Sequence, residues 1–447
     1  MHALSDASRS TLTRRGWSGA VARRVSDVAS LLRRYRDEEA AFVISNAVVN
    51  VANFGFFIAV GRLFSSSSYG AITALLSIVT VANTPLNAIQ AGVVHATVAV
   101  RQTLGARSPR HLVITFALVG VAATMVVGAA AVLVERFFSL SSVVPVLMLA
   151  LWFAPSVVNS ALCGSLMGHF RFRAIAVANV VGALTRIVLV VVFGAAHQLF
   201  GLSGPVIATS AGIAVTTLWV FVAVRAEPDW RLGEYLELHL RHTLWAFLSL
   251  GGFAAFVAVD VALARHLLSP ISAGSYAAAS TAGKIALFLS VAVPIVAYPR
   301  FAAHHAAGTN ARRPLLLSFW LVAGLGLATA AIMSALPTVT VDLLFGHRYA
   351  AAAPLLRLLA PEGAAMGVVG LMTYYHVAQR SVWAAVPWLG VVTIVLVTSF
   401  GDISAHALAL LVLITSIAVG ALMALPEIQG AWRSSRVAHT RTSGGTP

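Results

Sequence analysis

Apolar runs long enough to cross a lipid bilayer recur along almost the whole chain. They follow one another from about residue 40 to about residue 425, and about 20 such residues cross the hydrocarbon core as an α-helix. Only 10% of the residues are charged, whereas a soluble domain has about 25%. The roughly ten-residue alternation of an outer-membrane barrel is absent. The sequence therefore predicts an all-α polytopic membrane protein.

The distribution of basic residues predicts the number and direction of the spans. If the N-terminus lies in the cytoplasm, 23 of the 30 Lys and Arg residues fall on inside segments, four on outside loops and three within spans. This bias follows the positive-inside rule. It predicts a multi-pass protein of the plasma (inner) membrane with both termini cytoplasmic. The twelve spans are expected at about 40–61, 70–99, 111–134, 143–168, 174–196, 201–224, 243–265, 273–299, 314–335, 351–377, 382–399 and 403–425.

The spans divide into two sets of six. The segment "RLFSSSSYG" after span 1 echoes "RHLLSPISAGSY" after span 7, and a duplicated transporter with six spans in each half has such echoes. We therefore expect an N-terminal six-helix lobe at 40–224, a cytoplasmic linker at 225–242, a C-terminal six-helix lobe at 243–425 and a cytoplasmic tail at 426–447.

The N-terminal arm, residues 1–39, is basic and has no apolar core of a signal peptide. Its segment "VARRVSDVASLLRRYRDEEA" places apolar residues on one helical face among arginines. That pattern favours an interfacial helix on an anionic inner leaflet. The alternative is a docking site for a partner enzyme.

The same sequence argues against several function classes. The net charge of +15 does not indicate a nucleic-acid partner, because the arginines are scattered between spans. No P-loop, HExxH or GxSxG stretch is present, so we expect neither an enzyme nor a cofactor. We expect no metal site either, since the adjacent His304 and His305 point in different directions on a helix. The single cysteine, Cys163, excludes an internal disulfide.

Five ionisable residues fall inside the spans, where each costs roughly 2.5–3.5 kcal/mol at the helix centre. They are Arg186, Asp260, Lys284, Arg357 and Glu362; Lys284 is the only lysine of the chain. One interpretation is structural, with Asp260 paired to Lys284 and Glu362 paired to Arg357. Arg186 is then left over. The interior is expected to carry one positive charge in excess, which favours an anionic guest.

Neutral polar residues form stripes on the first two spans. Each stripe has helical spacing and therefore lies on one face. Such stripes either line a hydrated cavity or form hydrogen bonds between packed helices. The residues are Asn46, Asn50 and Asn53 on span 1, and Asn83, Asn87 and Gln90 on span 2.

At these residues the chain resembles the polysaccharide-biosynthesis flippases, the Wzx-type exporters of the multidrug/oligosaccharidyl-lipid/polysaccharide (MOP) superfamily, which also contains the MATE drug exporters. The resemblance covers most of the chain. The segments that carry it are "GRLFSSSSYGAI", "GSLMGHFRFRAIAVANVVGALTRI", "DVALARHLLSPISAGSYAAASTAGKIALFLSVAVPIVAYPRFA" and "LFGHRYAAAAPLLRLLAP".

The resemblance implies two lobes around a central cationic cavity and alternating access that moves a polyprenyl-pyrophosphate-linked glycan outward. Lys284 and Arg186 match basic positions of the family, where they would attract the pyrophosphate or acidic sugars. Asp260 matches an acidic position and would orient Lys284 or set its protonation. The expected substrate-binding set is Arg186, Lys284, Asp260, Asn50, Asn87, Arg357 and Glu362. Expected partners are the glycan, anionic inner-leaflet lipids, glycosyltransferases and a polysaccharide polymerase.

The chain departs from two relatives that the resemblance brings in. Span 1 has no carboxylate, unlike the cation-coupled drug exporters, and two further spans of the peptidoglycan-precursor flippase are missing. Three hypotheses remain: a lipid-linked glycan flippase, a cation-coupled drug exporter, or a membrane scaffold in cell-envelope assembly whose interior charges are structural.

Overall fold

The computed structural model describes residues 41–42, 44–103, 110–225 and 240–443, and these fold into helices without a strand. The predicted all-α class is therefore confirmed. The expected interfacial helix of the 1–39 arm and most of the 225–242 linker lie outside the described residues.

The N-terminal half contains nine described helices. They are α1 (Ile44–Leu63), α2 (Ser66–Thr103), α3 (Arg110–Ala129), α4 (Ala131–Phe137), α5 (Val144–Ala150), α6 (Phe153–Gly168), α7 (Phe172–Ala195), α8 (His197–Phe200) and α9 (Ser203–Arg225).

The described part of the C-terminal half contains eight α-helices. They are α10 (Leu240–Leu267), α11 (Pro270–Ser290), α12 (Ala292–Ala306), α13 (Arg312–Ala335), α14 (Pro337–Leu344), α15 (Ala353–Ala378), α16 (Pro387–Ser399) and α17 (Ala405–Ser443). Two 3-10 turns, His347–Ala352 and Val382–Ala385, precede α15 and α16. The last helix continues beyond the predicted span end at 425.

The described helices agree with the predicted count of twelve spans. Eleven helices or continuous helix pairs are long and apolar enough to cross a membrane. A twelfth span forms when the pair Ile114–Ala129 and Ala131–Phe137, bent by 49°, counts as one. The bend falls in the predicted third span.

Prolines mark two further interruptions. Pro155 is the third residue of α6 and Pro294 the third of α12, each just after a break within a span. Proline is tolerated in the first turn of a helix because the N–H it lacks has no partner there. Pro85 and Pro361 instead lie inside α2 and α15.

The two halves meet through α2 of the first half and α10 and α11 of the second. Near the start of α2, Gly70 contacts Gly274 of α11 so closely that a Cβ on Gly70 would lie 2.8 Å from the Gly274 nitrogen. Tyr69 packs against Phe345 and Tyr349 of the second half at ring distances of 5.6 and 5.7 Å. Small and aromatic residues thus pack closely at this junction between the halves.

Hydrogen bonds between the halves concentrate at the same end of the molecule. Among the described residues, each hydrogen bond between the halves starts or ends in the last turns of α1, α4, α10 or α14, in the residues just after them, or in the first turns of α2 and α11. We call this the closed end. It carries the loops that the arginine distribution predicts to lie outside.

Candidate functional site

A close crossing of α11 and α15 positions the buried charges of the second half. A Cβ on Gly283 would meet the Leu359 carbonyl oxygen, and a Cβ on Gly363 would meet the Gly283 carbonyl oxygen. Glycines let two membrane helices approach to backbone contact. Lys284 and Glu362 each adjoin one of these glycines, so the crossing brings the two side chains into the same buried region.

The predicted ion pair between Asp260 and Lys284 is present. The Lys284 Nζ atom lies 3.0 Å from Asp260 Oδ1, and the Ser280 hydroxyl donates to Asp260 Oδ2 at 2.7 Å. Asp260 is 1% exposed and Lys284 9%. Ser280 lies four residues before Lys284, on the same face of α11. The ammonium group is therefore neutralised within the second half.

The predicted pair between Glu362 and Arg357 is wrong. Glu362 is fully buried, and neither carboxyl oxygen accepts a hydrogen bond from a described residue. Its electrostatic neighbours are Asp260 and Lys284. Arg357 is exposed. The two residues are five positions apart on α15, and that spacing places their side chains on different faces of a helix.

The expected excess of one positive charge, which counts all five ionisable residues of the spans, is not found within this buried cluster. Asp260, Glu362 and Lys284 bring two carboxyl groups and one ammonium group together. The hydroxyl of the fully buried Tyr276 lies close to both carboxyl groups. In this cluster the carboxyl groups therefore outnumber the ammonium group.

Arg186 occupies a different environment in the first half. Its guanidinium carbon lies 3.6 Å from the centroid of the Phe56 ring, and its Nη1 donates to Asn53 Oδ1 at 3.1 Å. Its buried Nε has no partner among the described residues. The guanidinium group thus contacts side chains of α1 and no carboxylate among the described residues, so its positive charge is not compensated as that of Lys284 is.

Some residues of the polar stripes contact other helices, and others are exposed. Asn53 accepts the bond from Arg186, and Gln90 Nε2 contacts Met167 Sδ at 2.9 Å. Asn50 and Asn87, the two residues expected to bind substrate, are exposed. They lie on the first two spans of the first half.

A cavity of about 480 Å³ lies between the halves. Its walls come from α2, α6, α10 and α16, with Phe138 at the closed end, and Ser77 is the one polar residue among them. No ionisable group lines it. This cavity is therefore apolar and differs from the cationic chamber that the resemblance implies.

Sequence reasoning missed several partners of these charges. Phe56 under Arg186, Ser280 beside Asp260 and the Gly283–Gly363 crossing were not expected. The four-residue spacing of Ser280 and Lys284 was a usable signal. The contact of Phe56 with Arg186 and the Gly283–Gly363 crossing depend on which helices pack together. Among the described residues, no group of three His, Cys, Asp or Glu side chains is placed to hold a metal ion.

Solved transporter structures share this fold. One is a mutant of the Vibrio cholerae MATE transporter VcmN, with a TM-score of 0.61, 18% identity and coverage of 92% of this chain and 98% of that chain. Another is the lipid II flippase MurJ in an inward closed conformation, with a TM-score of 0.62, 13% identity and coverage of 87% of both chains. A MOP superfamily transporter from Pyrococcus furiosus has a TM-score of 0.58, 16% identity and coverage of 89% and 94%. At these identities the likeness shows the fold.

Sequence comparison identifies the family. No curated protein sequence matches this chain significantly. However, residues 59–354 match the profile of a family described as "Polysaccharide biosynthesis protein", and this match covers well over half of the chain. The chain belongs to the polysaccharide biosynthesis protein family, on a helical membrane fold that MATE transporters and MurJ share.

Proposed function

We propose that this protein flips a polyprenyl-(pyro)phosphate-linked oligosaccharide or polysaccharide precursor from the cytoplasmic to the outer leaflet by alternating access. Membership of the polysaccharide biosynthesis family supports the glycan. The fold shared with a protein named as a lipid II flippase supports movement of a lipid-linked cargo. The observation that carries the proposal is the uncompensated charge of Arg186.

Arg186 suits a phosphate-bearing headgroup. A membrane-embedded arginine is costly unless it is paired or faces water or a ligand. Asn53 satisfies one nitrogen and the Phe56 ring holds the guanidinium plane. A guanidinium fork binds phosphate oxygens through parallel, charge-assisted hydrogen bonds. The headgroup would supply the negative charge that Arg186 lacks.

The remaining predicted site residues have supporting roles in this proposal. Lys284 approaches the headgroup from the second half, with Asp260 and Glu362 controlling how much of its charge is available. Asn50 and Asn87 hydrogen-bond the sugars from the first two spans. The exposed Arg357 attracts anionic groups near its end of α15.

Flipping of a lipid-linked glycan also requires a particular membrane, orientation and set of partner enzymes. The chain lies in the plasma (inner) membrane with both termini in the cytoplasm. Glycosyltransferases on the cytoplasmic face supply the lipid-linked glycan, and a polymerase on the outer face consumes it. The 1–39 arm attaches to anionic inner-leaflet lipids.

Reconstitution into liposomes tests the role of Arg186. The cargo is a polyprenyl-pyrophosphate glycan with a fluorophore on its sugar, and its movement is followed with a membrane-impermeant quencher. We expect Arg186→Gln to slow flipping about 10- to 100-fold, because one or two charge-assisted bonds to phosphate are lost. Arg225→Gln is the matched control: Arg225 also stacks on a phenylalanine, at 5.4 Å from the Phe221 ring, but lies at the end of α9.

The same assay separates flipping from a structural role. If Arg186→Gln lowers the Tm yet flips at the wild-type rate per folded molecule, Arg186 only joins α1 to α7 and the proposed role is wrong. If the wild-type protein does not move the glycan at all, the flippase proposal is contradicted. The hypothesis of a membrane scaffold in cell-envelope assembly would then be favoured.

A cation-coupled exporter of small molecules is the second candidate, and Glu362 favours it. Its buried carboxyl group has no hydrogen-bond partner among the described residues and lies beside a second carboxylate. Such a site suits a proton or a small cation. Efflux of cationic dyes from liposomes under an imposed ion gradient, without glycan flipping, would select this candidate.

A further inference from the structure

Arginines are scarce at the closed end, and most of them bond across the molecule. Only four Lys or Arg residues lie on the loops predicted to face outside: Arg62, Arg136, Arg265 and Arg348. The positive-inside rule disfavours them there. Three of the four donate hydrogen bonds to backbone carbonyls of the other half. A shared structural task explains why they are present.

The first set of contacts joins α1 to the end of α14. The Arg62 Nε atom donates to the Leu344 carbonyl at 3.0 Å, and its Nη2 donates to the Leu343 carbonyl. Arg348 returns the contact, donating to the carbonyls of Phe64 at 3.1 Å and Arg62 at 3.0 Å. Each half thus supplies a guanidinium group to the other.

The second set joins α10 to the end of α4. The Arg265 Nε atom donates to the Phe138 carbonyl at 2.9 Å, and its Nη2 donates to the Ser139 carbonyl at 3.1 Å. The neighbouring His266 stacks on Phe137 at 4.2 Å, and its Nδ1 lies 2.7 Å from the Phe137 carbonyl oxygen. Arg265 is only 8% exposed.

The two sets occupy equivalent places in the two halves. Arg62 and Arg265 lie at the ends of the first spans of their halves. Their acceptors lie at the end of the short helix, α14 or α4, that follows the third long helix of the opposite half. Both acceptor helices, α4 and α14, are followed by a residue with positive φ, Ser139 at 47° and Gly346 at 88°, which is a common helix ending.

Helix ends of this kind are good acceptors for a guanidinium group. The last carbonyls of a helix have no intrahelical partner, and they carry the negative end of the helix dipole. The guanidinium fork can bond two neighbouring carbonyls at once. Each arginine therefore satisfies carbonyls that would otherwise need water.

We propose that Arg62 and Arg265 form a paired latch that holds the outer end of the molecule shut, and that both latches break when this end opens. The inference rests on the proposed alternating access. Opening exposes the guanidinium groups and the carbonyls to water, which replaces the lost bonds. Because such exchanges are nearly balanced, the latch biases the equilibrium toward the closed state and still releases.

Cysteine labelling in liposomes tests the latch without any substrate. Cys163 is replaced by serine, and Ser77, which is 9% exposed in the cavity between the halves, is replaced by cysteine. A membrane-impermeant maleimide is then added from the predicted outer side. We expect Arg62→Ala and Arg265→Ala each to raise the labelling rate about tenfold, as expected for the loss of about one charge-assisted bond, and the double variant to raise it further.

Arg136→Ala is the matched control. Arg136 is an exposed arginine at the same end, in the last turn of α4, and its side chain donates no hydrogen bond to the described residues of the other half. It should label at the wild-type rate. Equal acceleration in Arg136→Ala would show a general charge effect and overturn the latch.

Folding is checked separately, because Arg265 is buried. If Arg265→Ala does not give a monodisperse protein, the exposed Arg62→Ala decides, together with Arg62→Lys, which keeps the charge but cannot form the fork. A folded Arg62→Ala protein with unchanged labelling contradicts the proposal. Since labelling needs no glycan, this outcome is distinct from a failure of the flippase assay.

Discussion

At the scale of single residues, the buried charges of the second half follow from helix geometry more than from sequence order. Asp260 and Lys284 lie on consecutive spans, so their pairing was predictable. Closeness in sequence suggests a pairing of Glu362 with Arg357, but five positions on one helix separate their side chains. Its actual neighbours lie on other helices, and the sequence alone does not say which helices meet.

This arrangement predicts unequal effects for the two carboxyl groups. Asp260→Asn removes the counter-charge of the buried Lys284 and should destabilise the protein by about 3–5 kcal/mol. Glu362→Gln removes a group that receives no hydrogen bond from the described residues, and its cost should stay under about 1 kcal/mol. Thermal unfolding in detergent compares the two variants.

The double variant Asp260→Asn/Lys284→Met provides the control. It removes both charges of the pair and should recover much of the stability that Asp260→Asn loses. If Glu362→Gln proves the more damaging substitution, the assignment of Asp260 as the partner of Lys284 is wrong.

At the scale of helices, apolar length determines most of what can be read from the sequence. Each predicted span corresponds to a described helix, helix pair or bent pair. The close crossing at Gly283 and Gly363 could not be predicted from the sequence, because glycines also occur in membrane helices where nothing packs against them. Gly324 is one of these: a Cβ there would meet no atom within 4 Å.

The glycine crossing therefore predicts a position-specific cost. Gly363→Ala places a methyl group against the backbone of α11 and should destabilise by about 1–3 kcal/mol, since a helix backbone cannot rotate out of the way as a side chain can. Gly324→Ala in α13 should be neutral or slightly stabilising, because alanine favours the helix. Equal unfolding temperatures for the two variants would argue against backbone contact at the crossing.

At the scale of the whole molecule, the arginine bias predicts the orientation of the protein in the membrane. The contacts between the halves show in addition that the halves join at one end, the closed end. Hydropathy and charge could predict the span number and a direction. They could not predict that the halves join at one end, since the carbonyl acceptors of Arg62 and Arg265 exist in every helix and leave no mark in the sequence.

Orientation is open to a direct measurement. In a Cys163→Ser background, a single cysteine at the exposed Ser141 should react with an impermeant maleimide added to intact cells. A cysteine at the exposed Ala307 should react only after the membrane is permeabilised. These positions lie at opposite ends of the bundle. The reverse pattern would invert the predicted topology.

The apolar cavity between α2, α6, α10 and α16 has a pharmacological consequence. A compact apolar compound bound in this cavity would contact both halves at once and would hinder their relative movement. Such a compound would partition first into the bilayer and would need no resemblance to a sugar or a phosphate. Inhibitors of this protein are therefore to be sought among membrane-soluble molecules as well as among mimics of a charged cargo.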